Sequence, residues 1–445
     1  MNRAGGVRRR RWERPQLLLA LAAFVAALAL GLAGFAVAAF TGVLSGRQDA
    51  APAGVSTVAP ATPDAGRLLE RSLGGAGRVA DFSFGHTVDR VQVPAGERFE
   101  AGMRLPFELG VDATAFRVHV RNWEFDAEEP LGAPVTVSSI WVGEHLVTGA
   151  DGMTGQFAGP PTAVGGTANL PAEGAVTDWV DTDVAELRAG MPYLLSIGFS
   201  AAASSTLATV PGLSWLSVGD GAEATAGDAG AAPAVSGALS YLDVWIEYEF
   251  AGDAPVLLAI GHSLNAPGNT QTDAHPTRGE LTAWPQQWAL SNDAVAISLA
   301  APGSQTPLFA KGTEVWREFG APAELEPDLV SVWAASNDIA RGRPLADIQR
   351  DWGAIVTRVR TLWPEARIMA VTEPPRRLDA ERERVRAEWN AWLSTAPYGV
   401  DRVIDADGLL RDPVDTSRLR PEVDADGIHF TELGHSLIAS QLPSP

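Results

Sequence analysis

The sequence predicts an α/β protein: a domain with a parallel sheet and helices on both faces, preceded by an antiparallel β-sandwich or jelly roll and, ahead of both, a transmembrane helix. Three observations predict it. After Asp253, short apolar runs alternate with helical stretches, the pattern of a parallel sheet with crossover helices. Between Phe82 and Phe250, β-branched and aromatic runs are punctuated by Gly, Pro, Asp and Asn, as in antiparallel sheets. From Leu17 to Leu44 no residue is charged.

In chain order, residues 1–16 are an arginine-rich leader and 17–45 the apolar segment. At about 1.5 Å per residue this segment exceeds the roughly 30 Å bilayer core. The positive-inside rule keeps the arginines in the cytoplasm, so the body is expected outside the cell membrane on a single-pass anchor. A cleaved signal peptide, with small residues at Ala36-Val37-Ala38 or Ala38-Ala39-Phe40, is the competing reading and would make the protein secreted. Signal h-regions usually run about 7 to 15 residues, which favours the anchor. Residues 46–80 are dominated at first by Ala, Pro, Thr, Ser and Gly and read as a linker.

A sandwich domain is expected over 81–252. Its strands are read at Val88–Val93, Phe116–Val120, Val135–Val142, Tyr193–Phe199 and Tyr241–Phe250, with Phe116, Val118 and Val120 on one face. The Ala-, Gly-, Ser- and Thr-rich stretch Ala201–Ala232 reads as a long loop turning at Pro211-Gly212. Trp123, Trp141, Trp179, Trp215 and Trp245 can form either a sugar-stacking platform or packed core, and packing is the preferred reading.

The α/β domain is expected over 253–445. Strands fit Val256–Ile260, Ala294–Leu299, Leu329–Trp333, Arg367–Thr372 and Arg402–Ile404; helices fit Thr282–Leu290, Leu345–Trp363, Ala380–Ser394 and Glu432–Gln441. Ile348, Trp352, Ile355, Val356, Val359 and Leu362 share one helical face, as packing on a sheet requires. Ligand sites in such folds gather at the carboxyl ends of the strands.

Composition excludes several classes. With 34 basic against 54 acidic residues the net charge is −20, and the body has no cation cluster for nucleic acid. No cysteine is present, so disulfides and thiolate metal sites are impossible. A single lysine, Lys311, beside many arginines and alanines suggests a high-GC bacterial genome.

Four strand-end segments carry chemistry. Val256–Ile260 runs into Gly261-His262-Ser263, where the glycine allows an unusual backbone shape and Ser263 is a candidate nucleophile. Ser298 to Ser304 is a small-residue turn whose N–H groups can face a ligand. Ala335-Ser336-Asn337-Asp338 offers the Asn337 amide to an oxyanion. Asp426 and His429 are three apart in Asp424–Thr431, close enough for the carboxylate to orient an imidazole whose other nitrogen faces Ser263. Thr431 is an expected N-cap.

This order of segments resembles the SGNH hydrolases, or GDSL-type esterases and lipases, over Pro255 to the C-terminus, with lesser matches at Trp284-Pro285, Trp389-Asn390-Ala391-Trp392 and Gly434-His435. The resemblance implies a flavodoxin-like three-layer α/β/α fold and a serine esterase working without metal or other cofactor. It implies Ser263 as nucleophile, His429 as general base and acid and Asp426 as orienting carboxylate, with the N–H groups of Ser263 and Ala300 and the Asn337 side chain as oxyanion donors. Three departures accompany it: His262 replaces the usual aspartate, Ala300 (or Ala301 or Gly303 in other alignments) falls at the second block's glycine, and Ala335 replaces the third's. The expected substrate is a small acyl ester or an acylated glycan; a non-catalytic glycan-binding protein and an acyltransferase are the alternatives. Of the remaining histidines, His262 and His435 read as structural, Asp273 and His275 as a solvated pair rather than a metal site, and His86, His119 and His145 as sandwich residues without metal-like clustering.

Overall fold

The computed structural model describes residues 77–443 apart from 87–88, 125–128, 132–133, 149–151, 168, 231–234, 267–282, 312–315 and 317–324. The expected leader, the apolar segment 17–45 and nearly all of the linker lie outside the described residues. Among the described residues no helix is long and apolar enough to cross a membrane.

Two main antiparallel sheets, besides the two-stranded pair Trp123–Glu124 and Glu129–Pro130, build the β-rich part. The smaller holds Arg78–Ser83, Asp243–Phe250 and Ala113–Arg121 in that order, with Ala175–Val176 and Val180–Asp181 both paired to the last. The larger runs Val235–Tyr241, Thr206–Val218, Phe99–Phe107, Tyr193–Ala201, Val135–Thr148, Gly152–Phe157. Alternation along Ala113–Arg121 decides what lies between them: Phe116, Val118 and Val120 are buried in one cluster with Val137, Ile140 and Ile197 of the larger sheet. The opposite face carries Arg117, His119 and Arg121, set against Glu247, Trp245 and Asp243 across the strand pair. All five strand regions read from sequence contain strand.

Besides short strands that no run marked, such as Gly152–Phe157 and Thr162–Thr167, two long stretches differ from expectation. Thr206–Val218, expected as loop, is a strand with a register shift between Pro211 and Ser214. Leu207, Ala208, Thr209 and Val210 are all buried there, which a solvent-exposed loop would not require. Phe99–Phe107 is an unexpected central strand despite Gly102 and Arg104. A short 3-10 helix, Ala222–Gly227, lies over it: a Cβ on Gly102 would come 2.8 Å from the Ala222 carbonyl, and the buried Arg104 guanidinium donates to the carbonyls of Gly155, Thr225 and Asp228. The tryptophans mostly pack. Trp215 and Trp245 are buried, Trp245 stacks on His119, and Arg117 lies over Trp179.

In the α/β part we number strands β1 Val256–Gly261, β2 Val295–Ala300, β3 Leu329–Trp333, β4 Arg367–Val371 and β5 Arg402–Ile404. The sheet is parallel with order β2-β1-β3-β4-β5. Helices are α1 Trp284–Ser291, α2 Thr306–Ala310, α3 Ser336–Ala340, α4 Leu345–Leu362, α5 Ala380–Leu393, α6 Ala406–Leu410 and α7 Glu432–Ala439. Ile348, Trp352, Ile355, Val356 and Val359 of α4 and Trp389 of α5 pack with Leu258, Ile260, Val330 and Val332 on one face. Trp284 and Trp288 of α1, Leu410 of α6 and Ile438 of α7 pack with Leu257, Ala259, Met369 and Val371 on the other. Leu362, expected on the buried face, is 42% exposed because the helix ends there.

The two parts share one hydrophobic cluster. Arg78 donates to the Ala254 carbonyl at 2.8 Å and meets Asp328 at 3.1 Å, and a Cβ on Gly110 would lie 2.1 Å from the Ala294 carbonyl. The strand that carries Arg78 therefore begins inside the stretch read as linker.

Candidate active site

Strand β1 ends at Gly261, and the glycine is required by space, not by backbone angle as the sequence suggested. Its φ is not positive, but a Cβ there would sit 1.9 Å from the Trp333 carbonyl. The turn after it is pinned by Asn265, whose N–H donates to the His262 carbonyl (2.9 Å) and whose side-chain oxygen accepts from Trp284 Nε1 (3.1 Å). Ser263 is thereby held at the strand's carboxyl end with 8% of its surface exposed.

The loop before α7 brings the other two polar residues. Asp426 Oδ1 accepts the N–H groups of Ile428 (2.9 Å) and His429 (2.8 Å), a tight local turn made possible by Gly427 at φ 92°. Its Oδ2 meets His429 Nδ1 at 2.8 Å, and His429 Nε2 meets Ser263 Oγ at 2.9 Å. Burial pushes the Asp426 carboxyl up, but the hydrogen bonds from the His429 side chain and backbone outweigh it and hold it below the usual carboxylate range. An ionised Asp426 fixes the imidazole with its acceptor nitrogen towards the serine. Thr431 occupies the N-cap position of α7, but its hydroxyl donates to the Glu422 carbonyl and does not cap the helix.

Asn337, at the start of α3, donates through Nδ2 to the Ser304 carbonyl (3.0 Å), leaving its second N–H for a ligand. Ser304 Oγ in turn donates to the Gly261 carbonyl at 3.2 Å, so the Gly303-Ser304 turn sits between Asn337 and the end of β1. Ala300 is a correction. Val295 and Ala301 donate their N–H groups to Pro255 and Gly261, and strand alternation points the Ala300 N–H away from β1, off the edge strand of the sheet. Ala301's amide is committed to Gly261. Of the alternatives weighed from sequence, Gly303 is at φ 77° and partly exposed, and its N–H has no backbone acceptor among the described residues. Ala335 has φ −100°, a conformation alanine adopts freely, which explains why glycine is dispensable there.

Sequence reasoning missed Glu373 and Arg376, which follow β4. Glu373, 1% exposed, accepts from Trp333 Nε1 (3.0 Å) and the Ala335 N–H (2.9 Å), fixing the turn that carries Asn337. Asn390 of the lesser motif Trp389–Trp392 holds Glu373 in place by bonds to its N–H and carbonyl. His262 stands 3.6 Å from Glu373 Oε2, beyond hydrogen-bond reach, and accepts weakly from the Leu264 N–H at 3.4 Å. Arg376 Nη1 donates to Ser336 Oγ (2.9 Å) and Asn337 Oδ1 (3.1 Å). The signal for both was position alone: the carboxyl edge of the same sheet.

Asp338 accepts the N–H and hydroxyl of Thr306 and pairs with Arg343, tying the third segment to α2. His435 is buried and accepts the Trp284 N–H at 3.2 Å, as a structural residue. His86, His119 and His145 contact Asp243, Glu247 and the Gly155 N–H respectively. Asp273 and His275 lie outside the described residues.

A family model described as the GDSL-like Lipase/Acylhydrolase family matches residues 259–437. A search of curated proteins finds no match. Among solved structures, a family two carbohydrate esterase from Cellvibrio japonicus is 11% identical, with 82% of this chain and 96% of that chain covered at a TM-score of 0.34. A family two carbohydrate esterase from Clostridium thermocellum in complex with cellohexaose is 14% identical, with 81% and 91% covered at 0.33. A member of the lipolytic protein G-D-S-L family from Veillonella parvula is 17% identical, with 42% and 95% covered at 0.33.

Proposed function

Since the α/β part of this chain belongs to the GDSL-like lipase/acylhydrolase family, and the protein is accordingly a carboxylic ester hydrolase, we propose that it is a membrane-anchored, extracytoplasmic serine esterase that removes short acyl groups from glycans. The observation that carries the serine mechanism is the unbroken chain of contacts from Asp426 through His429 to Ser263, at 2.8 and 2.9 Å.

In this reading His429 Nε2 takes the hydroxyl proton as Ser263 Oγ attacks the ester carbonyl. The oxyanion is met by the second N–H of Asn337 and by the backbone N–H groups of Ser263 and Gly303. The leaving alcohol takes the proton from His429, and water activated by the same imidazole then releases the acid from Ser263. Asp426 keeps the imidazole in the required tautomer throughout.

The glycan assignment is supported by the cavity beside Asp426. It is an open cleft of about 510 Å³, lined by Arg377, Asp412, Asp415, Arg418, Asp424 and Asp426 together with Leu419, Pro421 and Ala425. Such a wall suits a hydroxyl-rich alcohol and disfavours a lipid chain, whose sites are mostly apolar. The anchor rests on the basic leader and the uncharged run Leu17–Leu44.

The test is hydrolysis of p-nitrophenyl acetate, p-nitrophenyl decanoate and an acetylated xylo-oligosaccharide by the full chain and by Ser263→Ala. Acetate release that disappears in the variant is the expected result. Decanoate preferred over acetate would overturn the short-acyl glycan assignment, and equal activity in both proteins would remove Ser263 as nucleophile. A mature N-terminus near residue 40 would replace the anchor with secretion.

A further inference from the structure

The chain has 54 acidic residues against 34 basic, and arginines around the site mostly meet carboxylates: Arg377 with Asp424 at 2.9 Å, Arg343 with Asp338 at 2.8 Å, Arg382 with Asp379. Two behave differently. Arg376 is partly buried and donates only to neutral acceptors, Ser336 Oγ and Asn337 Oδ1, among the described residues. Arg341 donates to Gln305 Oε1 at 2.9 Å, and its Nη2 lies 3.7 Å from where a Cβ on Gly303 would stand. Each guanidinium thus flanks one oxyanion donor, Arg376 at Asn337 and Arg341 at Gly303.

Glu373 and Asp426 are the carboxylates whose charge acts on Arg376. Neither forms an ion pair with it: Glu373 is engaged by Trp333 and Ala335, and Asp426 by His429. Arg341 and Arg376 repel one another, and an anion bound beside both guanidinium groups would relieve that repulsion. Burial draws the Arg376 guanidinium below its ordinary pKa, Glu373 and Asp426 oppose that, and Arg341 adds a smaller push downwards.

We propose that Arg376 and Arg341 form an anion-recognition wall beside the oxyanion donors, so that the site selects esters bearing a carboxylate or phosphate close to the scissile carbonyl. The proposal rests on the serine-esterase reading of Ser263. Arg376 also fixes the Asn337 amide by donating to its Oδ1, so a positioning effect must be separated from recognition. A positioning effect lowers turnover of every ester alike; recognition changes the ratio between charged and neutral ones.

The experiment compares kcat/KM for p-nitrophenyl hemisuccinate and p-nitrophenyl acetate in the full chain, Arg376→Gln, Arg341→Gln and the double variant. Loss of a charge-assisted hydrogen bond should lower the anionic-to-neutral ratio about tenfold in each single variant, and high salt should lower it in the wild type. An unchanged ratio, or equal loss on both esters, would overturn the proposal. Calorimetric titration of Ser263→Ala with monomethyl succinate, with and without Arg376→Gln, reads binding without turnover: affinity lost with Arg376 supports the wall, and no affinity with both arginines present overturns it. If the wild type hydrolyses neither ester and a fluorophosphonate leaves Ser263 unlabelled, the esterase reading fails by itself, and the calorimetry still decides the anion site.

Discussion

His429 Nε2 lies 2.9 Å from Ser263 Oγ across 166 positions of sequence, and the contact exists only because β1 and the loop before α7 end at the same edge of the sheet. Ser263→Ala should abolish ester turnover while leaving the thermal midpoint within a degree or two. Asp426→Asn should retain the fold but lower kcat by up to about 10⁴-fold, because the imidazole loses its enforced tautomer. Steady-state kinetics beside a melting curve checks both.

Asn337→Ala removes a donor aimed at the developing oxyanion. The expected loss is about 10²–10³ in kcat, with KM changed little, since the interaction strengthens only in the transition state. A KM effect of the same size with kcat preserved would show that Asn337 binds ground-state substrate instead.

Gly261→Ala places a methyl 1.9 Å from the Trp333 carbonyl. Neither β1 nor β3 can move freely inside a five-stranded sheet, so a destabilisation of about 1–3 kcal/mol or more is expected, read from urea denaturation. Ala335→Gly should cost about 1 kcal/mol in the same assay, because at φ −100° the alanine is unstrained and its methyl is buried, so glycine adds chain entropy to the unfolded state and leaves the methyl's space empty.

Glu373→Ala strands the buried N–H groups of Trp333 and Ala335 without acceptors, at about 1–3 kcal/mol for each. Glu373→Gln keeps one acceptor oxygen and should lose less. Both variants should also lower kcat, through the turn that carries Asn337.

Buried His435 and His145 make stability depend on pH. Burial, with His429 nearby, takes His435 from its ordinary 6.5 to about 3, and burial with Arg104 nearby takes His145 to about 4. Between those values and 6.5 the unfolded chain binds more protons than the folded one, so stability falls as the pH drops through this window, at about 1.4 kcal/mol per pH unit for each histidine. His435→Asn should therefore lose less stability than the wild type between pH 6.5 and 4.5, measured as the difference in urea midpoints. An identical slope in the two proteins would mean that His435 is not held neutral.

Much of the fold was legible because its signals are local. The strand Leu329–Trp333 and the helix from Leu345 announce themselves by hydrophobic period, and the sandwich strands by β-branched runs. Phe99–Phe107 and Thr206–Val218 were not legible. Their Gly, Pro, Ala and Arg residues are acceptable in a strand only once Ala222–Gly227 covers one side and backbone carbonyls receive Arg104.

The sequence by itself determined the residue types and their order: a serine after an apolar strand, an asparagine after another, and an Asp-x-x-His loop before the last helix, whose internal Asp426–His429 contact is local. Only the tertiary structure decided which groups face one another. It withdrew the Ala300 amide, because strand alternation turns it off the sheet edge, and favoured Gly303. It gave Gly261 its reason in the Trp333 carbonyl and brought in Glu373 and Arg376, which no motif marks. The physical reason is that hydrophobic period and turn chemistry act over a few residues, whereas hydrogen bonds, steric contacts and charge act through space between strand ends that the chain reaches far apart in sequence.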